Sequence, residues 1–167
     1  MTTRVHGAEL ALRWRVTALI RPLMIAPEPE PPRDRQVAAL CYRTAPRLEI
    51  LLVTSRETRR WVTPKGWPMA GRPDHAAAAV EAFEEAGVDG VVSERALGTF
   101  GYEKILRSTE ILAVTAALYP LEVVILREDW PEKGERDRKW LTPDEAAELV
   151  QEAGLAQLIL DFGQSAG

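Results

Sequence analysis

Cysteine is nearly missing from this chain: Cys41 stands alone in 167 residues. No disulfide can form within the chain, which fits a reducing cytoplasm, and Cys41 inside Val37-Ala-Ala-Leu-Cys-Tyr42 reads as a small buried hydrophobe. Long apolar runs are missing too. No stretch of about 18 apolar residues exists, so no membrane span is expected. Glu9, Arg13 and Arg15 interrupt any secretory hydrophobic region near the N-terminus. The chain also lacks a strong charge of one sign. Its net charge is −4, and nothing in that balance demands a nucleic-acid partner.

What is present is ordinary in amount: 46% hydrophobic and 28% charged residues, enough to build one cored domain without staples. Residues 1–34 read as an N-terminal appendage and proline-rich linker, ending in Pro27-Glu-Pro-Glu-Pro-Pro32. Within it, residues 8–20 fit an amphipathic helix and a strand equally well. The domain proper is expected over 35–167.

Apolar runs at 36–43 and 48–54 suggest two strands joined by the hairpin loop Thr44-Ala-Pro-Arg47. Residues 91–92 and 96–102 suggest a further strand, and 109–119 is the most strand-like segment of the second half. Pro120 limits that strand or places it near an edge, with 121–126 continuing the ribbon. Thr142-Pro-Asp-Glu145 is a capping box with proline at the first helical position, and Gly154 is expected to break the helix that follows.

The most informative stretch runs from Gly66 to Val88. Asp74 is a candidate N-cap, four alanines favour helix, and Gly87 is a natural left-handed stop, predicting a helix over 75–86. Ala76, Ala79, Val80 and Phe83 fall on one stripe, the expected core face. Glu81, Glu84 and Glu85 share another face at i, i+3, i+4 spacing, where like charges repel. A hard divalent cation with substrate phosphates in its shell would turn that repulsion into binding. Arg56, Arg59 and Arg60 crowd the approach to this stretch, where polyphosphate oxygens would lie.

Trp61-Val-Thr-Pro-Lys-Gly66, with Glu81, Ala82, Glu84, Glu85, Gly87 and Val88 in register behind it, resembles the signature of the Nudix hydrolase family. Two positions depart from it: Arg72 stands where the family has its first Glu, and Val80 where it has Arg. Leu51 to Arg56, Trp61-Val-x-Pro64, Asp129-Trp130 and Gly134-x-Arg136-x-Arg138-Lys139-Trp140 look most like the diphosphoinositol polyphosphate phosphohydrolase branch. The resemblance implies an α/β fold, an α/β/α sandwich around a central mixed sheet. It implies a pyrophosphohydrolase using Mg²⁺, or Mn²⁺, held by Glu81, Glu85 and the Lys65 carbonyl. Glu84 would be the base. Arg56, Arg59, Arg60, Lys65, Arg136 and Arg138 would bind a phosphorylated small molecule. Homodimers are frequent in the family. The other reading is a catalytically silent Nudix domain that binds a nucleotide.

Overall fold

A computed structural model describes residues 34–105 and 111–166. The helix-or-strand segment at 8–20 and the proline-rich linker lie outside the described residues. The elements run β1 (Arg35–Arg43), β2 (Glu49–Thr54), β3 (Trp61–Val62), β4 (Lys65–Gly66), α1 (Asp74–Ala86), β5 (Val88–Val92), β6 (Gly98–Ile105), β7 (Ile111–Leu126), β8 (Arg138–Leu141), α2 (Pro143–Leu149) and α3 (Ala153–Ala166). All eight strands join one mixed sheet with the path β3-β2-β1-β7-β5, to which β4, β6 and β8 attach on β1, β7 and β2.

β1 and β2 are covered on both faces, which is why Val37–Cys41 and Ile50–Val53 are apolar without alternation. One face packs Val37, Ala39, Leu51 and Val53 against α1; the other packs Ala38, Leu40, Ile50 and Leu52 against α2 and α3. The α/β/α sandwich expected from the family resemblance is the observed architecture.

Pro120 is a correction. It lies in the interior of β7, opposite Leu40 of β1, rather than at an end or edge. The strand tolerates it because Pro120 falls where β6 hands over to β5 on the other side, Leu118 pairing with Gly98 and Leu121 with Val92. No ladder partner is needed there for the missing N–H. That handover also divides the single strand expected over 91–102 into β5 and β6.

The helices correct three further expectations. Asp74 is the first helical residue, and Pro73 is the N-cap with no side-chain cap bond. The Asp74 carboxylate instead pairs with Arg35 on β1. The buried face of α1 is Ala77, Ala78, Ala82, Glu85 and Ala86, while Phe83 is 37% exposed. Methyl-sized side chains let the helix lie close to the sheet, and Arg136 and the Lys65 N–H receive the one buried charge. Size and pairing outweigh bulk hydrophobicity here. Gly154 sits inside α3 rather than before it, since a Cβ there would stand 3.2 Å from Phe100 Cβ; the break falls at 150–152 instead.

Two local expectations are realised as read. Gly87 is left-handed (φ 65°) and closes α1 through its N–H to the Phe83 carbonyl. Thr142 and Glu145 form the reciprocal capping box of α2.

Candidate active site

β4 pairs with β1 in a register that sets Gly66 opposite Val37 and Lys65 opposite Ala38. This lays the backbone of residues 65–66 beside the middle of α1. A Cβ on Gly66 would come within 2.0 Å of Glu81 Oε1, so glycine is what allows the carboxylate to rest against the strand. The Lys65 N–H donates to Glu85 Oε2 at 3.2 Å.

The other Glu85 oxygen accepts from Arg136 Nη2, forming an ion pair in which both side chains are buried. Arg136 also donates from Nη1 to the Thr54 carbonyl at 2.9 Å and from Nε to Glu132. A buried carboxylate is tolerable only with such partners. Burial still pushes the Glu85 carboxyl above its usual range, opposed by Arg136 and Lys65. Among the described residues, Glu81 has no comparable partner. Burial, followed by the charges of Glu85, Glu84 and Glu132, drives its carboxyl up to about 7, with Arg136 pulling the other way.

The remaining expected site residues are spread around this pair. Glu84 is exposed, one helical turn from Glu81. Arg56 is more than half exposed and spans Glu132 (3.5 Å) and Glu135 (3.3 Å). Arg59 holds the Glu135 carbonyl at 2.7 Å and pairs with Asp137. Arg60 reaches Gln151 (3.2 Å) and Glu152 (3.3 Å), and the Lys65 amine lies 5.3 Å over the Tyr102 ring.

Arg136 and Arg138, expected to bind substrate, are held by groups of the protein itself. Arg136 is spent on Glu85, Glu132 and Thr54. Arg138 ties the Ala86 carbonyl (2.8 Å) to the Arg127 carbonyl (2.9 Å) and stacks 3.7 Å over Trp130. Their guanidinium forks satisfy protein carbonyls and carboxylates that would otherwise be idle.

The structure adds two residues that the sequence did not mark, Glu132 and Glu152, and gives a place to Lys104, one of the cations that hint at a highly anionic substrate. Glu132, in the loop after β7, braces Arg136 and contributes to the negative potential at Glu81. Lys104 sets its amine 4.7 Å over the Trp67 ring and senses the charges of Glu85, Glu57 and Glu81. Glu152 is buried beside Arg60. A loop acid and an acid between helices carry no spacing signal that separates them from surface charge.

Among the described residues, no three carboxylate, imidazole or thiol side chains gather as a metal-ligating cluster. The expected convergence of all three glutamates is therefore not observed; Glu84 points to solvent and Glu85 is turned toward Arg136. The donor set nonetheless fits a Mg²⁺-type ion. Such ions take one or two carboxylates and complete their shell with water and substrate phosphate. Glu81 is a half-buried carboxyl held up by burial and then by surplus negative charge, and a dication would relieve the latter.

Residues 34–162 match the NUDIX domain family model. The chain is 34% identical over 119 residues to Nudix hydrolase 12, mitochondrial, of Arabidopsis thaliana, covering 70% of this chain and 59% of that protein. It is 32% identical over 120 residues to diphosphoinositol polyphosphate phosphohydrolase 2 of Rattus norvegicus, covering 70% and 63%. The chain thus spans about three-fifths of the length of these relatives. Among solved structures, the C. elegans Ap4A hydrolase superposes with a TM-score of 0.56 at 20% identity, covering 80% of this chain and 98% of that one. A domain-wide family match and a shared fold, joined to Glu81, Glu84 and Glu85 on one helix beside Gly66, place this chain in the Nudix family.

Proposed function

We propose that this chain is a divalent-metal-dependent hydrolase that cleaves a P–O–P link in a small phosphorylated substrate, a nucleoside or dinucleoside polyphosphate or a diphosphoinositol polyphosphate. The observation that carries this reading is Glu81, a carboxyl seated against Gly66 and held at about 7 by burial and neighbouring acids. A helix gains nothing in stability from that arrangement. A site for a cation and phosphate oxygens gains a ligand with no competing partner among the described residues.

Glu81, Glu85 and the Lys65 carbonyl would hold Mg²⁺ or Mn²⁺, which when bound lowers the barrier to water attack and neutralises phosphate charge. The chain's own residues supply the rest. Arg136 and the Lys65 N–H fix the Glu85 carboxylate, leaving its outer lone pairs available. Glu84, exposed and one turn from Glu81, accepts the proton of the attacking water. Arg56 and Lys104, on both of which the Glu85 charge acts, carry guanidinium and ammonium groups that can orient phosphate oxygens. Phosphoryl transfer needs little more than this positioning and charge. Cys41, free and buried, suits a reducing compartment, whether cytoplasm or the mitochondrion named for one plant relative.

Phosphate release from a panel of dinucleoside polyphosphates, diphosphoinositol phosphates, ADP-ribose and nucleoside triphosphates with Mg²⁺ tests the reading. Glu84→Gln is expected to lower kcat by roughly 10²- to 10⁴-fold. Equal activity in both proteins would remove Glu84 as the base. The second reading, a silent nucleotide-binding domain, is motivated by Arg72 and Val80 at signature positions. Nucleotide binding with no turnover of any panel member would favour it.

A further inference from the structure

Another glutamate, Glu152, is buried between α2 and α3, on the opposite face of the sheet from α1. Only 6% of the Glu152 side chain is exposed, and neither carboxylate oxygen accepts a hydrogen bond among the described residues. Arg60 Nη1 approaches Oε1 to 3.3 Å, an ion-pair contact without an aligned N–H; the same nitrogen directs its bond to exposed Gln151 Oε1 at 3.2 Å. Native proteins rarely leave a buried carboxylate with its lone pairs idle, so this one calls for a partner.

Lys65 leaves β4 toward this same face. Its strand neighbour Ala38 packs in the cluster under α2 and α3, where Tyr102 also lies. The Lys65 amine is over the Tyr102 ring, and the Tyr102 hydroxyl donates to buried Gln36. Lys65 and Glu152 feel each other's charge yet form no ion pair among the described residues. Two unused acceptors therefore stand beside two cationic donors.

We propose that Glu152 recognises a nucleobase: its two oxygens accept the paired N–H donors of a guanine-type edge, and Arg60 and Lys65 donate to the adjacent carbonyl oxygen. A carboxylate facing two neighbouring N–H groups is a matched bidentate pair, and the flanking cations match the oxygen beside them. A fully phosphorylated inositol ring would instead press anions against Glu152, which costs affinity. Arg60, with 28% of its side chain exposed, lies against the carboxylate, and the proposal requires it to turn aside for a base to reach Glu152. Lys65 joins the two faces. Its N–H touches Glu85 while its side chain enters the base site, so the phosphate chain runs from Glu152 around β4 toward Glu81. The proposal rests on the hydrolase reading and narrows its substrate to a nucleoside polyphosphate.

Metal-free binding of guanosine, inosine and adenosine 5′-monophosphates and of ribose 5-phosphate, measured by calorimetry, tests the assignment without needing turnover. Guanosine monophosphate is expected to bind the native chain about tenfold or more tighter than ribose 5-phosphate or adenosine monophosphate, with the inosine nucleotide between. Glu152→Gln, which keeps the side chain's size, is expected to lose that preference and bind ribose 5-phosphate unchanged. Equal affinities in the native chain, or equal weakening of every ligand by Glu152→Gln, would overturn it. A base preference without hydrolysis of any polyphosphate would sink the hydrolase reading alone. Efficient hydrolysis of diphosphoinositol phosphates with poor hydrolysis of guanine nucleotides would sink the base site alone.

Discussion

Glu85 and Glu152 are both buried glutamates, one on each face of the same sheet, and their surroundings differ. Glu85 has a protein donor on each oxygen: Arg136 on one, the Lys65 N–H on the other. Glu152 meets Arg60 only at 3.3 Å and has no hydrogen bond among the described residues. A buried carboxylate with a protein donor on each oxygen is held in place, whereas one without such donors still lacks a partner. On the proposed reading, the α1 face seats the phosphates and the α2–α3 face receives the remainder of the substrate.

Adding one methyl to the seat is the harshest way to break this contrast. Gly66→Ala puts a Cβ about where Glu81 Oε1 now lies, 2.0 Å away. We expect phosphate release to fall by roughly 10²-fold or more, since displacing a positioned group by about 1 Å costs that much. Activity within twofold of the native chain would show that Glu81 does not need this position.

Removing the partner of Glu85 comes next. Arg136→Met keeps bulk but strands a buried carboxylate, and urea unfolding should show a loss of about 3–5 kcal/mol. Arg136→Lys should recover only part, because an ammonium cannot serve Glu85, Glu132 and Thr54 together. A neutral result for Arg136→Met would return Arg136 to the substrate-binding role first expected of it.

A smaller effect follows from the acid held high. A carboxyl whose folded pKa is about 7 stabilises the fold while protonated; that contribution is complete below its ordinary value of 4.5 and is lost as pH rises through about 7. In chelator, the melting temperature should therefore fall between pH 5 and 8. Glu81→Gln should flatten the fall, and an unchanged slope in that variant would assign the titration elsewhere. The mildest change is Thr142→Ala, which removes the α2 cap and should cost about 1 kcal/mol without altering activity.

Local chemistry was the legible part of the sequence. The left-handed Gly87, the Thr142–Glu145 cap and the strands at 36–43 and 48–54 depend on neighbours a few residues away, and each formed as read. The buried face of α1 was misread because apolar bulk was taken as the guide. Close packing against the sheet selected alanines instead, and the face includes Glu85 because Arg136, 51 residues on, neutralises it. The destinations of Arg136 and Arg138 were illegible for the same reason: a guanidinium's partner is a tertiary fact. Pro120 was misplaced because a strand interior tolerates proline only where the adjoining ladder changes hands, and that depends on where β5 and β6 end.

The contrast between the two faces of the sheet is tested most directly by titrating Mn²⁺ into the metal-free chain and following the free ion by electron paramagnetic resonance. The account predicts saturable binding that weakens at least about tenfold in Glu81→Gln and is unchanged in Glu152→Gln. Equal binding by the native chain and Glu81→Gln, or a loss confined to Glu152→Gln, would contradict it.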